Sequence, residues 1–113
     1  MRETLLGKTV TVIMDRPLGS SHPEDPSIVY PVNYGYIPDL IGGDGEEQDA
    51  YILGVNEPVA EFDGVVIAVI ERADDVETKW VVAGDGIDFT DAEIMAAVEF
   101  QERYFDSRVV RKL

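Results

Sequence analysis

The chain has 113 residues, a formal net charge of −14, 45% hydrophobic residues and no cysteine. That length gives one domain, 1–113, with room for a single modest core. The charge excludes sequence-independent binding to nucleic acid or to an anionic membrane. Without cysteine there is no disulfide, thiolate catalysis or Cys-ligated metal, and the single histidine, His22, excludes a multi-His site. No apolar stretch of signal-peptide or membrane-span length occurs near the N-terminus, so a cytoplasmic protein is the expectation.

In chain order, residues 8–14 (KTVTVIM) are rich in β-branched types and read as a strand, followed by a turn over 15–20 and a loop over 22–26. Residues 27–32 predict a second strand, with Pro31 at an edge or irregular position. An acidic loop runs to about Glu47, and residues 49–54 (DAYILG) form a short strand that would seat Asp49 on a rigid element. Asp63-Gly64 predicts a turn before 65–70 (VVIAVI), a run apolar enough to be covered on both faces. An acidic patch over 71–77 then separates that strand from 78–83 (TKWVVA), which returns as its hairpin partner. Thr90-x-x-Glu93 has the form of a capping box. A helix should therefore run over 91–105, with Ile94, Ala97, Val98, Gln101, Tyr104 and Phe105 facing the sheet.

The chemistry concentrates in 30–50, YPVNYGYIPDLIGGDGEEQDA. Five carboxylates (Asp39, Asp44, Glu46, Glu47 and Asp49) stand among glycines that let the backbone bend sharply. Such crowding raises the carboxylate pKa values unless the groups point apart into water or share a cation. Oxygen ligands suit Mg²⁺, with Mn²⁺ as a substitute. Neighbouring tyrosines and Asn33 offer neutral groups for an oxyanion beside the metal.

Tyr30-Pro-Val-Asn33-Tyr34-Gly35-Tyr36, followed by acids at Asp44, Glu46 and Asp49, resembles the soluble inorganic pyrophosphatases of family I. The resemblance implies a mainly β fold, a small OB-like closed β-barrel with one packed C-terminal helix. It implies Mg²⁺-dependent hydrolysis of pyrophosphate, and self-association as homo-oligomers. By it, Asp44, Asp49, Glu77 and Asp74 or Asp75 become metal ligands. Glu46 becomes the general base or the residue orienting the attacking water, and Asp49 and Tyr34 join it in the catalytic set. Tyr34, Lys79 and Tyr104 become substrate ligands, and Arg16, a basic residue in about the right part of the chain, is expected to substitute for a family cation that has no direct match. The chain departs from the family at several points. Glu46 and Glu77 each stand for an aspartate, Glu47 stands where proline is common, and Phe105 follows Tyr104 where the family has lysine. A phosphate-binding lysine and arginine of the family's N-terminal strands have no clear match. The alternatives are a non-catalytic metal- or phosphate-binding or interaction protein on the same barrel, and a hydrolase of another diphosphate such as a nucleotide.

Overall fold

In a computed structural model, which describes residues 6–42, 45–73 and 77–111 and, within that range, all but the side chain of Asp39, six strands and one helix make up the fold. Strands β1 (Thr9–Arg16), β2 (Asn33–Ile41), β3 (Glu47–Ile52), β4 (Glu61–Arg72) and β5 (Thr78–Ala83) lie in the order β1-β2-β3-β5-β4. Pairing of β1 with the first half of β4 closes them into a barrel. Closure pairs each of these strands with a neighbour on both sides over part of its length. Only β3 and β5 run parallel; the other pairs are antiparallel. Helix α1 (Asp91–Glu102) follows, and β6 (Ser107–Val110) joins β4 over Val69–Arg72, beyond the stretch that β1 occupies.

The barrel is filled as strand periodicity requires. Val10, Val12 and Met14 of β1, Ile37 of β2, Ala50 and Ile52 of β3, and Trp80 and Val82 of β5 form one buried cluster with Val66 and Val69. Alternate residues of the same strands point outward. Tyr34, Tyr51 and Val81, with Ala68 and Ile70, pack against Ile94 and Val98 of α1 in a second cluster. A register shift between Val66 and Ala68 switches the phase of β4, so that Val66 and Val69 belong to the first cluster and Ala68 and Ile70 to the second. Gly35 lets β2 cross closely over β1, because a Cβ there would stand 1.9 Å from the Ile13 carbonyl oxygen.

Strand β5 and the capping box follow expectation. Glu93 N–H donates to Thr90 Oγ1 at 3.1 Å and Thr90 N–H donates to Glu93 Oε1 at 2.8 Å. Three expectations are corrected. Residues 27–32 are not a strand; apart from a bridge between Ser21 and Val29 they are irregular, and the strand is 33–41. Asp63-Gly64 lies inside β4, where Gly64 is required because a Cβ would meet the Ala83 carbonyl at 2.7 Å. The helix ends at Glu102, so Tyr104 lies beyond it and is 63% exposed instead of packed on the sheet. Strand β6 is additional. Among the described residues no helix is long and apolar enough to cross a membrane.

Candidate active site

Tyr34, Asp49 and Lys79 come from β2, β3 and β5, strands that are neighbours in the barrel. All three sit on the outward phase of their strands, beside Tyr51 and Val81. One carboxylate oxygen ties them together: Asp49 Oδ2 accepts from Tyr34 Oη at 2.9 Å and from Lys79 Nζ at 2.6 Å. Lys79 is also paired with Glu77 and lies 5.4 Å from the centre of the Tyr34 ring. These side chains form the floor of a cleft of about 460 Å³. Asp15 and Arg16 at the end of β1 line one wall, with His22, Ile28 and Tyr30 from the following loop. The rest of the lining is Arg72 at the end of β4, Gln101 from the last turn of the helix, and Tyr104 and Phe105 just beyond it.

The walls are held by polar contacts as well as packing. Asn33 is fully buried and its amide is spent on the backbone: it accepts from Leu18 N–H (2.9 Å) and Val59 N–H (3.2 Å) and donates to the Glu57 carbonyl (2.9 Å). It ties the turn after β1 to the connection between β3 and β4 and does not line the cleft, so it offers no amide to an oxyanion there. Tyr30, Tyr34 and Tyr51 pack ring against ring in a tilted series, with ring centres 5.5 and 5.0 Å apart. Tyr30 Oη donates to Gln101 (3.0 Å), which donates to Tyr51 Oη (2.8 Å), which donates to Glu102 (2.7 Å). Buried Glu102 holds Arg72 through two hydrogen bonds, of 3.0 Å to Nε and 2.7 Å to Nη2, and accepts from Ser107 at 2.6 Å.

The electrostatics follow from this partial burial. Burial, then the Asp49 charge, push the Tyr34 phenol far above its ordinary range, so it serves as a neutral O–H donor. Burial lowers the Lys79 ammonium, against the hydrogen bond and charge of Asp49. Burial raises the Asp15 carboxyl; Arg16 opposes the shift and the Asp49 charge adds to it. Arg16 Nε is shielded from solvent and has no hydrogen-bond partner among the described residues, which leaves a donor for a bound anion.

No protein-family model matches the sequence, and no curated protein sequence matches it. Solved structures do. An inorganic pyrophosphatase from Ehrlichia chaffeensis superposes at TM-score 0.70 and 18% identity, over 98% of this chain and 93% of that one. One from Neisseria gonorrhoeae gives 0.68 and 22%, over 87% and 74% of the two chains. One from Coxiella burnetii gives 0.67 and 20%, over 94% and 88%. This chain has the fold of those inorganic pyrophosphatases.

On that fold the sequence-derived residues are distributed unevenly. Arg16, Tyr34, Asp49, Lys79 and Tyr104 line the one cleft, and Glu77 reaches it through Lys79. Glu46 is exposed in the bend before β3 and is not among the lining residues. Asp44, Asp74 and Asp75 lie outside the described residues. Among those described, no group of three or more acidic or histidine side chains gathers around a point that would hold a metal ion. Asp49 Oδ1 accepts no hydrogen bond there, and its carboxylate and that of Glu77 flank the Lys79 ammonium. Oxygen donors of this kind suit a hard divalent cation. Asp15 and Arg72 also belong to the cleft and were not legible from the motif, because one read as a turn residue and the other as part of an acidic patch.

Proposed function

We propose that the chain hydrolyses inorganic pyrophosphate to two phosphates with Mg²⁺, Mn²⁺ serving as a substitute. The observation that carries the reading is the convergence of Tyr34, Asp49 and Lys79 on one carboxylate oxygen, in a cleft that also holds Arg16, on this fold. Water oxygen attacks one phosphorus, the bridging P–O bond breaks, and the electron pair leaves on the second phosphate. Lys79 and Arg16 bind the phosphate oxygens and offset the charge that collects on the leaving group. Tyr34, neutral at working pH, donates its O–H to the same region. Glu46 accepts or orients the proton of the attacking water, for which its loop has to turn toward the cleft. Asp49 and Glu77, joined by Asp44 and by Asp74 or Asp75, hold the divalent ion, which when bound supplies an acidified water and relief of charge.

Phosphate release from pyrophosphate, measured with Mg²⁺ and with chelator, tests this together with Asp49→Asn. We expect chelator-sensitive release that falls by more than about a hundredfold in the variant, since a direct ligand is worth at least as much as the outer partners of metal sites. Full release from Asp49→Asn would sink the assignment. The position of Lys79 between Asp49 and Glu77 favours a second reading, in which the barrel binds a metal–phosphate ligand without cleaving it. Saturable pyrophosphate binding with no release at high protein concentration would establish that instead.

A further inference from the structure

The loop between β1 and β2 delivers one more polar side chain to the cleft, the single histidine of the chain. Residues 19–30 fold back on themselves as a narrow hairpin. Gly19 N–H donates to the Tyr30 carbonyl at 2.8 Å, Tyr30 N–H to that of Ser20 at 2.9 Å, and His22 N–H to that of Ile28 at 2.9 Å. Near the tip, Asp25 Oδ1 accepts from the N–H and the hydroxyl of Ser27, at 3.1 and 2.6 Å. The His22 ring lies within 6° of parallel to that of Tyr30, with 6.3 Å between centres, and Tyr30 is itself tied to Gln101 of the helix. Nδ1 is occupied: it accepts from Glu24 N–H at 3.1 Å. A neutral imidazole whose Nδ1 accepts carries its proton on Nε2. That Nε2–H has no partner among the described residues, and the ring lines the cleft together with Asp15 and Arg16.

We propose that His22 is a substrate-binding residue, its Nε2–H donating to a phosphate oxygen of the diphosphate held in this cleft. The proposal rests on the pyrophosphatase reading and adds to its site a residue outside the stretch 30–50 where the motif lies. The ring is set before any ligand arrives, by the bond at Nδ1 and by the hairpin that carries it, so little freedom is left to lose on binding. A bond from Nε2–H to a phosphate oxygen is charge-assisted, and so stronger than one between neutral groups.

Two substitutions separate the two ring nitrogens. In His22→Asn the amide oxygen can take the place of Nδ1, as Asp25 Oδ1 already does toward Ser27 N–H two residues on, while Nε2–H is deleted. In His22→Gln an amide N–H reaches as far as Nε2, and the Nδ1 bond is given up. We expect His22→Asn to keep its melting temperature and to raise KM for pyrophosphate at least about tenfold, the smallest worth of a hydrogen bond to a charged group. His22→Gln, which keeps a donor, should stay within about threefold of the parent. An unchanged KM in His22→Asn, or an equal rise in both variants, would overturn the proposal and leave His22 a brace for its loop. If His22→Asn melts lower, the unaltered chain decides. Its one histidine gives a single set of ring ¹⁵N signals, and Nε2 should shift when imidodiphosphate is added with Mg²⁺; no shift at saturation overturns the proposal. An unaltered chain that neither cleaves pyrophosphate nor binds imidodiphosphate rejects the pyrophosphatase reading itself. Turnover in the parent with an unchanged KM in His22→Asn rejects the role of His22 alone.

Discussion

The two faces of the barrel wall are built from the same strands and do opposite work. In β3, Ala50 and Ile52 point inward, while Asp49 and Tyr51 point outward; in β5, Trp80 and Val82 point inward, while Lys79 and Val81 point outward. The inner cluster is apolar throughout. The outer one mixes aliphatic packing under the helix with hydroxyls, a buried Arg72–Glu102 pair and the Asp49–Lys79 contact. A period of two residues therefore separates stability from chemistry along a single strand. The catalytic candidates gain rigidity from the core without displacing any of it.

Substitutions on the two faces should part accordingly. Trp80→Ala empties the inner cluster and should cost about 3–5 kcal/mol of stability. In a urea series its midpoint should fall well below that of the parent, while whatever folds retains its KM. Tyr34→Phe deletes one outward hydroxyl. Its pyrophosphate turnover should drop by about a hundredfold, roughly 2.7 kcal/mol of barrier, at a nearly unchanged melting temperature. A fall in melting temperature without a fall in turnover would blur the division between faces. Glu102→Gln tests the border between them and should cost about 2 kcal/mol, since hydrogen bonds to a charged group are lost.

The effect of Glu102 should also depend on pH. Burial raises its carboxyl, but hydrogen bonds from Arg72, Ser107 and Tyr51 together more than offset that and hold it below 4.5. Its contribution is therefore fully present above that value and disappears as the pH falls through the lower folded one. The melting curves of parent and Glu102→Gln should converge on acidification; a gap that widened there would reverse the sign of the argument. The smallest effect is expected at the helix start, where Thr90→Ala should cost about 1 kcal/mol by calorimetry and leave turnover alone.

Much of this division could be read in the sequence, and the failures have physical causes. Alternation and β-branched residues located β1 and β5, and the family resemblance marked Tyr34, Asp49 and Lys79, side chains that do share one cleft. Glycine misled where its role is tertiary. Gly64 read as a turn former, yet it lies inside a strand, as does Gly35, because another backbone passes too close for a Cβ. Strand β6 is four residues long and owes its place to the exposed length of β4, which no local pattern reveals. Arg72 sat in a run of acids and looked solvated. One signal was available: Ile94, Val98 and Glu102 recur at helical spacing, and a buried acid at the end of an apolar stripe calls for a buried cation. Asp15 had no such marker, since its place depends on where the end of β1 meets the cleft.

Closure of the barrel through β1 and β4 has a temporal consequence. Thr9 pairs with Val65 and Ala50 with Trp80, so the contacts that complete the sheet join parts of the chain that emerge far apart during synthesis. Such distant pairings place the protein toward the slow end of small-domain folding, in milliseconds to seconds rather than microseconds. The cleft cannot exist in a half-made chain. Until β5 is laid beside β3, Asp49 has no lysine to hold, and a nascent chain exposes its acids and its apolar strands to whatever is nearby.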